Sequence, residues 1–133
     1  MALTIAVATA QAMASGPGLV SDIGAGSIIE IRSGVRPATP ETAASGTLLV
    51  SITVTGSFTA AGGVLTAADP ASAAPAAAGT ATYFRLKKSG GTAVLDGTVT
   101  ATGGGGDMQL GSTTITVGVN VDLGVPTFTV PVA

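Results

Sequence analysis

The sequence predicts an all-β protein: one β-sandwich or barrel, residues 27–133, behind a short N-terminal arm with helical character, residues 1–26. Three observations predict it. Beyond residue 26 apolar and polar residues alternate with period two, the signature of half-buried strands. Turn residues recur roughly every 8–12 positions, the spacing of sandwiches and barrels. The 133 residues, with 20 Gly and many Ala and Thr, suffice for one core.

Residues 1–15, MALTIAVATAQAMAS, are weakly apolar and carry small-residue patterns at 10–12 and 12–14. The first basic residue is Arg32, so there is no positive segment ahead of the apolar stretch, and no signal peptide is expected. No run approaches the ~20 apolar residues of a spanning helix, so no membrane segment is expected either. Residues 15–24 suit one or two helical turns, with Pro17 near the start and Gly24 as terminator.

Ile29 and Ile31 alternate with Glu30 and Arg32 as a strand that Ser33-Gly34 ends. Residues 35–46, with Pro37 and Pro40, read as a loop. The clearest strand is 47–55, where Leu48, Val50, Ile52 and Val54 share one face and Leu49, Ser51, Thr53 and Thr55 the other. Short strands at 57–59 and 64–67 flank the turn Ala61-Gly62-Gly63. The low-complexity stretch 68–79, with Pro70 and Pro75, is expected as an ordered surface excursion.

A strand at 80–88 sets Thr82, Phe84 and Leu86 against Tyr83, Arg85 and Lys87; Ser89-Gly90-Gly91-Thr92 turns it into a returning arm at 93–100. Gly103–Gly106 forms a flexible tip, followed by strands or strand pieces at 108–110, 113–117, 119–123 and 127–132.

Charged residues are 9% of the chain against about 25% in an ordinary soluble domain, which suggests a surface matched to other protein rather than to water. Net charge is -2 and no basic cluster exists, which argues against nucleic acid. With no Cys and no His, thiol chemistry and the commonest general base and metal ligand are missing. Lys87 and Lys88 read as solvated charges at a sheet edge. Tyr83 reads as a rim residue. The run Gly103-Gly104-Gly105-Gly106-Asp107 offers one carboxylate for calcium and lacks the Lys-Ser/Thr of a phosphate loop, so an ordinary loop is expected. No catalytic residue, cofactor site or metal site is expected.

The order of these pieces resembles a family of small proteins encoded with bacteriophage head genes, which includes the cement, or decoration, proteins of short-tailed phages. The pieces are Ile28-Ile29-Glu30-Ile31-Arg32-Ser33-Gly34-Val35-Arg36-Pro37-Ala38, Thr47-Leu48-Leu49-Val50, and Gly79-Thr80-Ala81-Thr82-Tyr83-Phe84-Arg85. With them go Ser89-Gly90-Gly91-Thr92, Leu95-Asp96-Gly97-Thr98-Val99, and the closing stretch from Met108-Gln109-Leu110 to Thr127-Phe128-Thr129-Val130. The tetraglycine tip departs from the family pattern. The resemblance implies a jelly-roll-like β-sandwich, commonly a homodimer, that sits on the virion exterior and bridges capsomers of the major capsid protein after synthesis in the host cytoplasm.

Shell contacts are then expected on the arm, at Leu3, Ile5 and Val7, and on the two loops, at Pro37, Pro70 and Pro75. Arg32, Arg36 and Arg85 are candidates for interface charge pairs. The alternatives are a tail or head-to-tail structural protein and a host-surface-binding β-module, which an exposed aromatic cluster would mark.

Overall fold

The computed structural model of the chain describes residues 4–6, 23–54, 58–61, 64–67, 72–123 and 127–129. The order of elements is β1 (Thr4–Ile5), β2 (Ser27–Arg32), β3 (Leu48–Val54), β4 (Thr59–Ala61), β5 (Val64–Thr66), β6 (Gly79–Thr80), β7 (Tyr83–Lys87), β8 (Ala93–Ala101), β9 (Met108–Leu110), β10 (Thr114–Ile115) and β11 (Thr127–Thr129). The all-β class holds for these residues. Most of the helical arm, including 15–22, lies outside them, as do Leu3, Val7 and Pro70.

The main sheet runs β1-β8-β7-β2-β3, antiparallel throughout, with β9 added to β8 in parallel. Two small sheets, β10-β6 and β11-β5-β4, complete the set. The strongest alternation made the strongest strands. Ile29, Ile31, Val50, Ile52, Val54, Phe84, Leu86 and Leu95 are fully buried on one face of the main sheet. They share one core with Phe58 and Leu65 ahead of β6 and with Met108, Leu110 and Ile115 beyond β8.

Two irregularities set the register. Ile31 faces Val50 while Arg32 faces Leu48, so Leu49 is an extra residue and is buried beside Val50 instead of facing outward. Its carbonyl accepts the Ala76 N–H at 2.7 Å. Likewise Leu86 faces Leu95 while Lys87 faces Ala93, which leaves Val94 as the extra residue.

Several expectations change. The strand expected at 80–88 is two, broken at Ala81-Thr82, where Ala81 N–H turns to the Thr113 carbonyl and Thr82 N–H to that of Arg32. The stretch at 113–117 keeps only β10, and 119–123 only a bridge from Val121 to Ala73. The excursion at 68–79 is tied down at its described end, with Pro75 buried. Lys87 is not at a sheet edge, because β7 lies between β8 and β2.

The tetraglycine tip makes β9 parallel to β8 possible over a very short connection, where parallel strands ordinarily need about a dozen linking residues. Gly103 and Gly105 have φ of +87° and +81°, and a Cβ on Gly104 or Gly106 would press on the Thr100 side chain at 2.7 and 2.9 Å. Asp107 then closes the loop: its Oδ2 accepts from Thr98 N–H at 2.9 Å and from Thr98 Oγ1 at 3.1 Å.

Candidate interaction surface

The outward face of the main sheet carries the charge. Strand register sets Thr4, Asp96, Arg85, Glu30 and Ser51 in one row across β1, β8, β7, β2 and β3. Arg85 Nε and Nη2 donate to Asp96 Oδ1 and Oδ2 at 2.7 and 2.9 Å, a bidentate pair that planar guanidinium geometry favours. Glu30 divides its oxygens between Arg32 Nε and Lys87 Nζ, both at 3.1 Å. Hydrogen bonding to Asp96 raises the Arg85 pKa further, against the opposing effect of burial, so the guanidinium is charged at any working pH.

The Val94 bulge creates the Arg85–Asp96 pair. Without it the hairpin register would set Arg85 against Leu95, since Lys87 already faces Ala93. One extra residue moves Asp96 onto the outward face and Leu95 onto the core face.

The pair is covered. The loop between β2 and β3 folds over it, pinned by Tyr83, whose hydroxyl donates to the Ser45 carbonyl at 2.7 Å and accepts Ser45 N–H at 3.0 Å. Ser45 Oγ also donates to the Val35 carbonyl. A cleft of about 380 Å³ remains between Ala6, Pro40, Thr42 and Thr92, with Arg85 at its wall. Tyr83 is therefore a buried clamp and not a rim residue.

The nine residues marked from the sequence fall into distinct environments. Arg36 and Pro37 are half-buried on the β2–β3 loop, beside Val35, which is 81% exposed. Arg32 is engaged by Glu30. Arg85, expected on an outward strand position, is 3% exposed and paired within the chain; Pro75 is buried too. Both are corrections, since neither offers a surface to a partner. Ile5 belongs to β1, so its backbone joins the chain's own sheet, where Ala6 N–H extends the contact to the Val94 carbonyl at 2.8 Å. Leu3, Val7 and Pro70 lie outside the described residues.

Sequence reading missed a second outward apolar feature. Val117 and Val119 are 59% and 62% exposed on the segment after β10, beside a groove of about 280 Å³ lined by Leu110, Ile115 and Val121. Val117 closes the strand piece expected at 113–117 and Val119 opens the one expected at 119–123, so the signal points to strand rather than to an exposed turn. Among the described residues no three acidic side chains gather as a metal site would require, and no helix is long and apolar enough to cross a membrane.

Fold and surface together define an all-β protein in which five charged residues, Glu30, Arg32, Arg85, Lys87 and Asp96, pair with one another on the main sheet. Comparison with protein-family models, curated proteins and solved structures yields no match.

Proposed function

We propose that the chain is a structural virion protein that binds the outside of a phage capsid and cements the shell by bridging capsomers of the major capsid protein. The observation that carries this reading is where the scarce charge goes. Glu30, Arg32, Arg85, Lys87 and Asp96 are engaged in ion pairs within one sheet, while Val35, Val117 and Val119 stand out in solvent. A free-standing domain keeps its charge outside for solubility; an assembly component can present neutral surface to a neighbour. The sequence resemblance to cement proteins supports the same reading.

The reading includes a jelly-roll-like sandwich with a short helical arm and a homodimer on the capsid exterior. An antiparallel sheet with one apolar face covered by residues from outside it is compatible with that architecture. Binding to the assembled shell alone would add to shell stability by linkage, and many modest contacts at subunit junctions would act by avidity. Shell contacts belong on the β2–β3 loop around Val35, Arg36 and Pro37.

The test is co-sedimentation of the recombinant chain with empty heads of the phage concerned. Saturable binding that Val35→Asp weakens is the expected result. No association with heads, together with binding to host-surface glycans, would replace the reading with that of a host-recognition module.

A further inference from the structure

The two edges of the main sheet are built differently. At one edge β1 is two residues long, the short edge by which natural sheets avoid unwanted pairing. At the other, β3 runs seven residues, Leu-Leu-Val-Ser-Ile-Thr-Val, with no charge and no proline. The inner strands β2, β7 and β8 hold Glu30, Arg32, Arg85, Lys87 and Asp96. This reverses the usual arrangement, in which edge strands carry the charges that repel a further strand.

Among the described residues, the backbone bonds made to the outer side of β3 come from Ala76 and Ala77, and both go to the Leu49 carbonyl. Beyond that bulge, residues 50–54 pair with β2 on one side. Ser51 and Thr53 are exposed, whereas Val50, Ile52 and Val54 are fully buried.

We infer that β3 pairs antiparallel with β3 of a second copy of this chain, about a two-fold axis at Ile52. That register sets Ser51 against the partner's Thr53 and Val50 against the partner's Val54. It is self-complementary: hydroxyls meet hydroxyls on the outward face, and β-branched residues meet on the core face. An uncharged strand is suited to this because it brings no charge to be desolvated at the junction, and like charges at both 51 and 53 would oppose each other. The outward N–H and C=O groups of Ser51 and Thr53 would then be satisfied as ladder bonds, joining two sheets into one.

The inference does not require the capsid reading, since self-association is measured without shells. The full chain is compared by sedimentation equilibrium with two double variants, Ser51→Lys with Thr53→Lys and Ser51→Lys with Thr53→Glu. The substitutions lie at exposed positions, and circular dichroism reports that each variant is folded. The wild type is expected to be a dimer. The Lys/Lys variant sets like charges opposite each other twice and is expected to dissociate at least about tenfold more readily than the Lys/Glu variant, whose charges attract in the same register. A monomeric wild type, or two double variants that associate equally, would overturn the inference. So would a monomeric wild type whose shell binding is lost in the Lys/Lys variant, because that would give the edge to a foreign strand.

Discussion

Two rows of residues cross β8, β7, β2 and β3 one position apart, and they stabilise the protein by different means. On the core side the row runs Leu95, Leu86, Ile29, Ile52; on the outward side it runs Asp96, Arg85, Glu30, Ser51. Leu95, Leu86, Ile29 and Ile52 have no accessible surface, and Asp96 and Arg85 have almost none, so burial alone does not separate the rows. What differs is how each compensates for leaving water. The aliphatic row gains by the transfer itself, in proportion to area. The charged row loses hydration and must recover it through exact pairing, so it tolerates volume changes better than charge changes.

A change of charge without volume separates the two rows most strongly. Asp96→Asn leaves the shape of the site and strands the buried Arg85 charge, so unfolding in urea is expected to show a loss of about 3–5 kcal/mol. Leu95→Met, the neighbouring volume-conserving change on the core side, is expected to cost less than about 1.5 kcal/mol. Similar losses for both would show that the rows are not distinct. Replacing Arg85 and Asp96 together by Met and Leu is expected to recover most of the Asp96→Asn loss, because no charge is then left unpaired.

A smaller effect belongs to the loop that covers the charged row. Gly46 has φ of +68°, and a Cβ there would overlap the Ser33 carbonyl oxygen, so Gly46→Ala is expected to cost about 1–3 kcal/mol by thermal unfolding. Tyr83→Phe removes the clamp on Ser45 and is expected to cost about 1 kcal/mol, with faster hydrogen exchange at the Ser45 amide as its marker. Unchanged exchange would mean that the loop is held by other contacts.

The smallest expected effect is in pH. A base whose pKa is higher in the folded than in the unfolded state contributes stability that is complete below the unfolded value and lost only as pH rises through the folded one. Arg85 is such a base, and its ordinary pKa is already far above neutral. Its contribution is therefore expected to stay constant in urea titrations between pH 6 and about 9. A fall in that interval that disappears in Arg85→Met with Asp96→Leu would contradict the assignment.

The core row was readable in the sequence and the charged row was not. Alternation at Ile29, Ile31, Val50, Ile52, Val54, Phe84 and Leu86 places side chains on one face without any knowledge of partners, because the period of a strand is local. Pairing Arg85 with Asp96 needs the register, which depends on one bulged residue. The clue was present: Val94-Leu95, like Leu48-Leu49-Val50, sets apolar residues side by side where a half-buried strand should alternate, and each of these two runs contains a bulged residue. The fate of Arg85 followed from the same omission, since an arginine on an alternating strand looks solvated until a buried carboxylate is found opposite it. The parallel placement of β9 had a local clue too, in four consecutive glycines. Their role appears only once the close approach to Thr100 is seen.

Under the proposed function, a chain with few charges, five of them paired with one another on the main sheet, presents neutral surface to a shell and stabilises it. The most direct measurement is the temperature at which empty heads lose integrity, followed as the protein is added. The midpoint is expected to rise with protein concentration and to level off at full occupancy, as linkage to the assembled state requires. An unchanged midpoint on heads shown to be fully occupied would contradict it.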